Sequence, residues 1–452
     1  MADAPDVLFV VLDSVRAGRV SAYGHDRETT PALDDLASGA TTYGDAHTPT
    51  PWTLPSHCSM FTGLWPSEHG VTNGFADAGL RLPDGAPTLA ERLAEQGYRT
   101  AGFSNNPWVG ALSGLDRGFE EYVEWDLEIG RRGDADIHTA RDDLLSRGHT
   151  LLGQAARTPL YLLKRRFFTG RLVERARRWL ATVREPAFTF LNLMEAHSPY
   201  YPPGWAFEEL GLDPPRPLEA RRLNVRLTAH VLGKGSLGDR RERVLEYYDA
   251  SLRYQDRQFG RLLAALRERD RLEDALVVVC SDHGKTVGDY DRDASPPHYL
   301  RDVNTKVPLV VKAPGQRTGR WVDDPVELRG LFDLMVTRPR DGDGLATPAD
   351  GAALVEDFLP HTSGAAEPVT RWRALVDGDG KYLRSEDGTE FLLDRGDGGV
   401  REPADAAVAS YRDRLAGRVD ALAETESVHE RGADDEMDRT VRAQLEDLGY
   451  ME

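Results

Sequence analysis

Asp13, Thr53 and the pair Asp282-His283 are the residues of this chain whose types and spacing point to chemistry. Hard divalent cations take oxygen ligands, with an occasional imidazole. Asp13 closes the apolar run Val7–Leu12, and Asp282-His283-Gly284 follows the run Ala275–Cys280. A lone acid at a strand end serves equally well as a turn or a helix cap. Asp-His-Gly is more specific, because Gly284 permits a sharp turn that leaves both side chains facing one site. The segment Pro51-Trp52-Thr53-Leu54-Pro55-Ser56-His57 reads as a turn entering a helix, with Pro55 suited to the first turn. A hydroxyl there sits at the positive end of the helix dipole, which favours an alkoxide and an anionic substrate. A metal on the same oxygen would lower its pKa further. The competing reading of Thr53 is a plain helix cap.

Apolar runs define the elements that must position these groups. Asp6–Leu12, Tyr98–Phe103, Ala187–Leu193, Ala275–Cys280 and Val307–Val311 read as buried strands. Helical patterns lie between them: Ala32–Ala37 with Thr30 as its cap, Thr88–Gln96, and the long stretch Arg243–Arg269. The alternation predicts an α/β fold, a doubly wound and mostly parallel sheet flanked by helices. Such sheets bind ligands beyond the carboxyl ends of their strands, and Asp13, Asn105, His197 and Asp282 all fall at or just past such ends. Residues 337–370, rich in Gly, Asp, Pro and Ala, read as a linker or surface excursion. They divide a catalytic α/β domain over 1–336 from a small antiparallel α+β subdomain over 371–452. In the latter, Trp372–Val376, Lys381–Ser385 and Glu390–Leu393 are strands, and Asp405–Glu424 and Glu436–Leu448 are helices.

The chain has 452 residues and a formal charge of −19, so it repels nucleic acid and no nucleic-acid partner is expected. Cys58 and Cys280 read as buried free thiols. The N-terminus shows no basic leader, and no stretch approaches the apolar length of a membrane span, which predicts a soluble, cytoplasmic protein. Residues 157–178 combine Lys164-Arg165-Arg166 and Arg175-Ala176-Arg177-Arg178 with Leu, Tyr, Phe and Trp. That stretch is a candidate for peripheral contact with an anionic membrane, against the alternative of a helix paired with the protein's own acids.

The ordered set of motifs resembles the sulfatase family of the alkaline phosphatase superfamily. It comprises Asp13, the Thr53-x-Pro55-Ser56 turn running into Phe61-Thr62-Gly63, Asn192–Tyr200 around His197, Asp256, Ser281-Asp282-His283-Gly284, Lys381-Tyr382 and Leu448-Gly449-Tyr450. The resemblance covers nearly the whole chain. It implies one divalent metal ion (Ca, Mg or Mn) held by Asp13, Thr53, Asp282 and His283. It implies Thr53 as nucleophile, and His197 holding a substrate oxygen or assisting the leaving group. His57, Asn105, His298 and Lys306 fall at substrate-binding positions, with a structural role as the alternative for His57 and His298. The chain departs from the family pattern at several points. Thr53 stands where sulfatases carry the Cys or Ser that becomes formylglycine, so no formylglycine is expected. His57 replaces an Arg, Ser14 a second Asp, and Ser104–Trp108 a Gly-Lys-Trp-His stretch. Threonine nucleophiles occur in phosphodiesterase and phosphoglycerol-transferase relatives. The expectation is therefore a hydrolase or transferase of sulfate or phosphate esters, on a glycan or lipid headgroup. The alternative is a catalytically silent sulfatase-like protein that binds such an anionic group.

Overall fold

Val7–Leu12 forms β1 in the computed structural model, and all of its residues are buried. The structure describes residues 4–71, 80–124, 169–184, 186–231, 236–287, 289, 300–339, 344–358, 371–395, 400–401 and 405–424. In chain order the next strands are β2 (Thr41–Tyr43), β3 (Ala46–His47), β4 (Arg99–Ser104), β5 (Glu121–Glu124), β6 (Ala187–Leu193) and β7 (Leu276–Cys280). There follow β8 (Lys306–Val307), β9 (Leu309–Lys312), β10 (Arg320–Val322) and β11 (Val326–Glu327). The C-terminal part adds β12 (Ala353–Asp357), β13 (Trp372–Val376), β14 (Lys381–Ser385), β15 (Glu390–Leu393) and β16 (Val400–Arg401).

An eight-stranded sheet runs in the order β10-β2-β9-β7-β1-β6-β4-β5. β1 pairs parallel with β6 and β7, and β4 parallel with β5 and β6. β9 is antiparallel to both its neighbours, β7 and β2. Side chains alternate across β1. Leu8, Val10 and Leu12 enter one core with Leu262 and Leu263 of the helix Arg241–Arg267, while Val7, Phe9 and Val11 enter another with Met60 and Phe61 of the helix Thr53–Thr62. A strand covered on both faces can be continuously apolar. That is why the central strands stood out in the sequence.

Several expectations need correction. Val307–Val311 is not one strand. Pro308, which has no N–H to donate, divides it into β8 on a three-stranded sheet with β3 and β9 on the large sheet. Thr30 occupies the cap position of the helix Pro31–Ala37, but its hydroxyl bonds Asp34 and Ser21 instead of a helix N–H. Asp256, from the long helix, caps instead, accepting from Ala32 N (2.9 Å) and Leu33 N (3.0 Å). Within 337–370, Ala353–Asp357 is not linker. It is buried along its length and pairs antiparallel with β13 in a five-stranded sheet, β12 to β16. A helix over Asp405–Glu424 covers that sheet through Val408, Tyr411 and Leu415, and Glu436–Leu448 lies outside the described residues.

In the basic stretch, 157–168 lies outside the described residues, and 169–182 is helical. Its apolar side, Leu172, Val173, Ala176 and Leu180, is buried in the protein's own core. Arg177 and Arg178 pair with Glu174 on the same helix. This part has no apolar face left for a lipid surface. Cys58 and Cys280 are buried and unpaired. Among the described residues no helix is long and apolar enough to cross a membrane.

Candidate active site

Three chain segments meet where β1 and β7 end. Asp13 follows β1, and Asp282-His283 follows β7. The two strands are adjacent and parallel, so their carboxyl ends open on the same side. Ser14 takes a left-handed backbone (φ 62°), which aims its N–H at Asp282 Oδ1 (2.9 Å). His283 N donates to that same oxygen (2.9 Å). Oδ2 of Asp282 is buried and has no hydrogen-bond partner among the described residues. The Ser56 hydroxyl donates to the Asp282 carbonyl (2.7 Å), and the Thr48 hydroxyl lies 2.5 Å from it, which holds the turn. Gly284 is required by close packing: a Cβ there would overlap the Val303 carbonyl.

Asp13 is fully buried and accepts from the Ser14 hydroxyl (2.7 Å) at Oδ1 and from Asn106 Nδ2 (2.7 Å) at Oδ2. Burial alone would raise its pKa. The charges of His197 and His283, the Ser14 hydroxyl and His57 outweigh burial and leave it below the usual carboxylate value. Asp282 goes the other way: burial raises it and the neighbouring Asp13 carboxylate adds to that.

Asp13, Asp282 and His283 offer ligand atoms that all lie within 4.8 Å of one another. His283 Nδ1 lies 2.6 Å from the Gly284 carbonyl, an acceptor only. Nδ1 therefore carries a hydrogen, so in the neutral ring, the form that binds a metal, the lone pair is on Nε2. Two buried carboxylates, an unpartnered oxygen and an imidazole lone pair turned to the same point fit a divalent cation.

Thr53 is the first residue of the helix Thr53–Thr62, and its hydroxyl lies 3.1 Å from His283 Nε2. It is therefore turned to the acidic cluster and not used as a helix cap. His57, one turn on, donates from Nδ1 to the Thr53 carbonyl (2.8 Å), with Asp282 Oδ2 3.8 Å away. His197 Nδ1 bonds the Ser198 carbonyl (2.7 Å), and the ring's charge acts on Asp13. Two residues predicted for substrate are occupied elsewhere: Asn105 Nδ2 bonds Thr169 Oγ1 (3.0 Å), and Lys306 Nζ is 3.5 Å from Asp45 Oδ1. His298 lies outside the described residues.

A family model described as Sulfatase matches residues 5–335, well over half of the chain. The chain belongs to the sulfatase family. This sulfatase-family chain is 25% identical over 436 residues to a sulfatase of Formosa agariphila, covering 87% of this chain and 81% of that relative. It is 22% identical to an arylsulfatase of Clostridium perfringens, covering 87% and 84%. The phosphonate monoester hydrolase of Agrobacterium radiobacter shares the fold, with a TM-score of 0.66 at 18% identity over 96% of this chain and 100% of that one. The family model places the protein among the sulfatases, and the solved neighbours show that it has their fold.

The sequence reading missed Ser14, Asn106, Ser56 and Thr48. Asn106 sits beside Asn105, and no local pattern tells which of two adjacent amides turns to Asp13. Ser14 was visible only as a departure from a family position.

Proposed function

We propose that this member of the sulfatase family transfers or hydrolyses sulfate or phosphate esters in a metal-dependent reaction, with the Thr53 hydroxyl as nucleophile. The observation that carries the reading is Thr53 Oγ1 at 3.1 Å from His283 Nε2, beside two buried carboxylates. A divalent ion held by Asp13, Asp282, His283 and the Thr53 hydroxyl would lower the pKa of that hydroxyl and neutralise charge on the transferred group.

The chain's own residues supply the rest. The His57 ring grips the Thr53 carbonyl and keeps the nucleophile's backbone in place. Thr53 Oγ, its proton given up to solvent, forms a bond to phosphorus or sulfur while the bond to the leaving oxygen breaks, giving an ester on the enzyme. His197, with its Nδ1 hydrogen committed to the Ser198 carbonyl, has Nε2 as the nitrogen to protonate the departing oxygen. Water or an acceptor hydroxyl then takes the group from Thr53.

Threonine favours phosphoryl over sulfuryl transfer in this scheme. Its hydroxyl-bearing carbon also carries a methyl, so oxidation cannot yield the aldehyde on which formylglycine chemistry depends. The relatives named sulfatases keep sulfate esters, including those on glycans, within the test.

Aryl sulfate, aryl phosphate monoester and aryl phosphodiester are supplied in parallel with Mg²⁺, Mn²⁺ or Ca²⁺, beside Thr53→Ala. Turnover is expected to require metal, to stop on chelation, and to fall by at least a thousandfold in the variant, since the covalent route is lost. Undiminished turnover by Thr53→Ala would remove the nucleophile. A chain that turns over none of the three and binds no metal is the silent binding protein.

A further inference from the structure

The helix Pro217–Val231 is apolar on two sides. Its inner side, Leu223 and Leu227, is buried in the core, as is Asn224. On the outer side Leu218 is 66% exposed and Val225 64% exposed, two of the most exposed large apolar residues among those described. At 100° per residue, Leu218, Val225 and the half-buried Ala229 fall within about 40° of one another. Arg221 flanks this stripe on one side, and Arg222 and Arg226 flank it on the other.

All three arginines are exposed, and among the described residues none has a carboxylate partner. The helix's own acid, Glu219, is taken by Arg243 (2.8 Å). An apolar stripe flanked by cations and turned to water is the pattern of a helix that lies in a membrane interface. Here it stands on a chain whose formal charge is −19. Bulk charge therefore does not explain it, and this face is locally opposite in sign to the rest of the protein.

We propose that this face docks the protein on an anionic lipid bilayer, with Leu218 and Val225 entering the interface and Arg221, Arg222 and Arg226 meeting acidic headgroups. Charge complementarity selects an anionic partner. The two exposed aliphatic side chains select a lipid over a sulfated polysaccharide, which offers them nothing apolar. A second copy of an acidic chain would be repelled at long range. On its inner side Asn224 accepts from Tyr200 N (2.7 Å) and donates to Tyr200 O (2.8 Å), which ties the helix to the segment carrying His197 three residues earlier. The surface is independent of the identity of the nucleophile.

The test is co-sedimentation of the full chain with vesicles of phosphatidylcholine alone or mixed with phosphatidylglycerol, at low and raised salt. The wild type is expected to partition onto the acidic vesicles only. R221Q/R222Q/R226Q is expected to lower that partition on the order of a hundredfold. L218S/V225S is expected to bind at low salt and release at raised salt, because only the screened attraction remains. Both variants should turn over a soluble aryl ester like the wild type, which separates lost docking from lost folding. Three results overturn the proposal. One is wild-type binding with no preference for acidic lipid. Another is retention by dextran sulfate that needs the arginines but not Leu218 and Val225, with no vesicle binding. The third is a dimer dissolved by L218S/V225S.

Discussion

Asn106→Ala tests the acidic site through a residue that holds Asp13 and is not itself one of the candidate metal ligands. Asn106 is 2% exposed and Asp13 fully buried, and the amide donates to Asp13 Oδ2 over 2.7 Å. A hydrogen bond to a charged group is worth roughly 1.5–3 kcal/mol, and each 1.4 kcal/mol is a factor of ten. Losing it frees the carboxylate to rotate about the remaining Ser14 contact at Oδ1. The expected result is a loss of metal affinity of about ten- to a hundredfold, in the range typical for groups that orient a metal ligand. Asn106 Oδ1 also accepts from Trp108 N (3.0 Å), so the alanine loosens the turn as well. Asn106→Asp separates the two effects, because it keeps an acceptor for Trp108 while placing a second acid against Asp13. Isothermal titration with Mn²⁺ measures affinity, and turnover against metal concentration measures its consequence. Both variants should recover much of their rate at high metal. Wild-type metal affinity in Asn106→Ala would show that the amide does not orient Asp13 for binding, and the reasoning would fail.

Gly284→Ala drives a methyl into the Val303 carbonyl, so the Asp282-His283 turn must shift. A displacement near 1 Å costs roughly a hundredfold in rate, and overpacking costs about 1–3 kcal/mol of stability. Activity and thermal midpoint should fall together, and an unchanged rate would contradict the packing argument. The stability share of Asp256 varies with pH in the opposite direction from that of an acid whose pKa is lowered by an ion pair. Burial pushes its carboxyl up to about 7, against two N–H donors and Arg253. A folded pKa above the unfolded value means a stability share that is present at low pH and lost as pH rises toward 7. Asp256→Asn lacks that titration, so its thermal midpoint relative to wild type should improve between pH 5 and pH 8. A pH-independent difference would sink this reading.

How far the sequence carried depended on what each residue answers to. β1, β6 and β7 are legible because both faces are covered, which demands an unbroken apolar run. The hairpin strands β13, β14 and β15 match their expected bounds, since Asp-Gly turns separate them. β2, β3, β10 and β11 are two or three residues long, too short to show a period, and exist through their partners. β12 hid in a stretch of Gly, Asp and Pro because its burial comes from the sheet it completes.

The candidate site divides in the same way. Local chemistry is enough to say that a hydroxyl opens a helix at Thr53, that an Asp-His-Gly turn follows a buried strand, and that Asp13 ends another. Each is a matter of residue type and near neighbours. Tertiary contact decides that Asn106 and not Asn105 holds Asp13, that Asp256 and not Thr30 caps its helix, and that Ser14 N reaches Asp282. It also decides that Leu218 and Val225 face water while residues 169–182 turn their apolar side inward. The physical reason is range. Propensity, period and turn chemistry act over a few residues, whereas Ser14 and Asp282 are 268 positions apart. Only the register of β1 against β7 brings them within a hydrogen bond of each other.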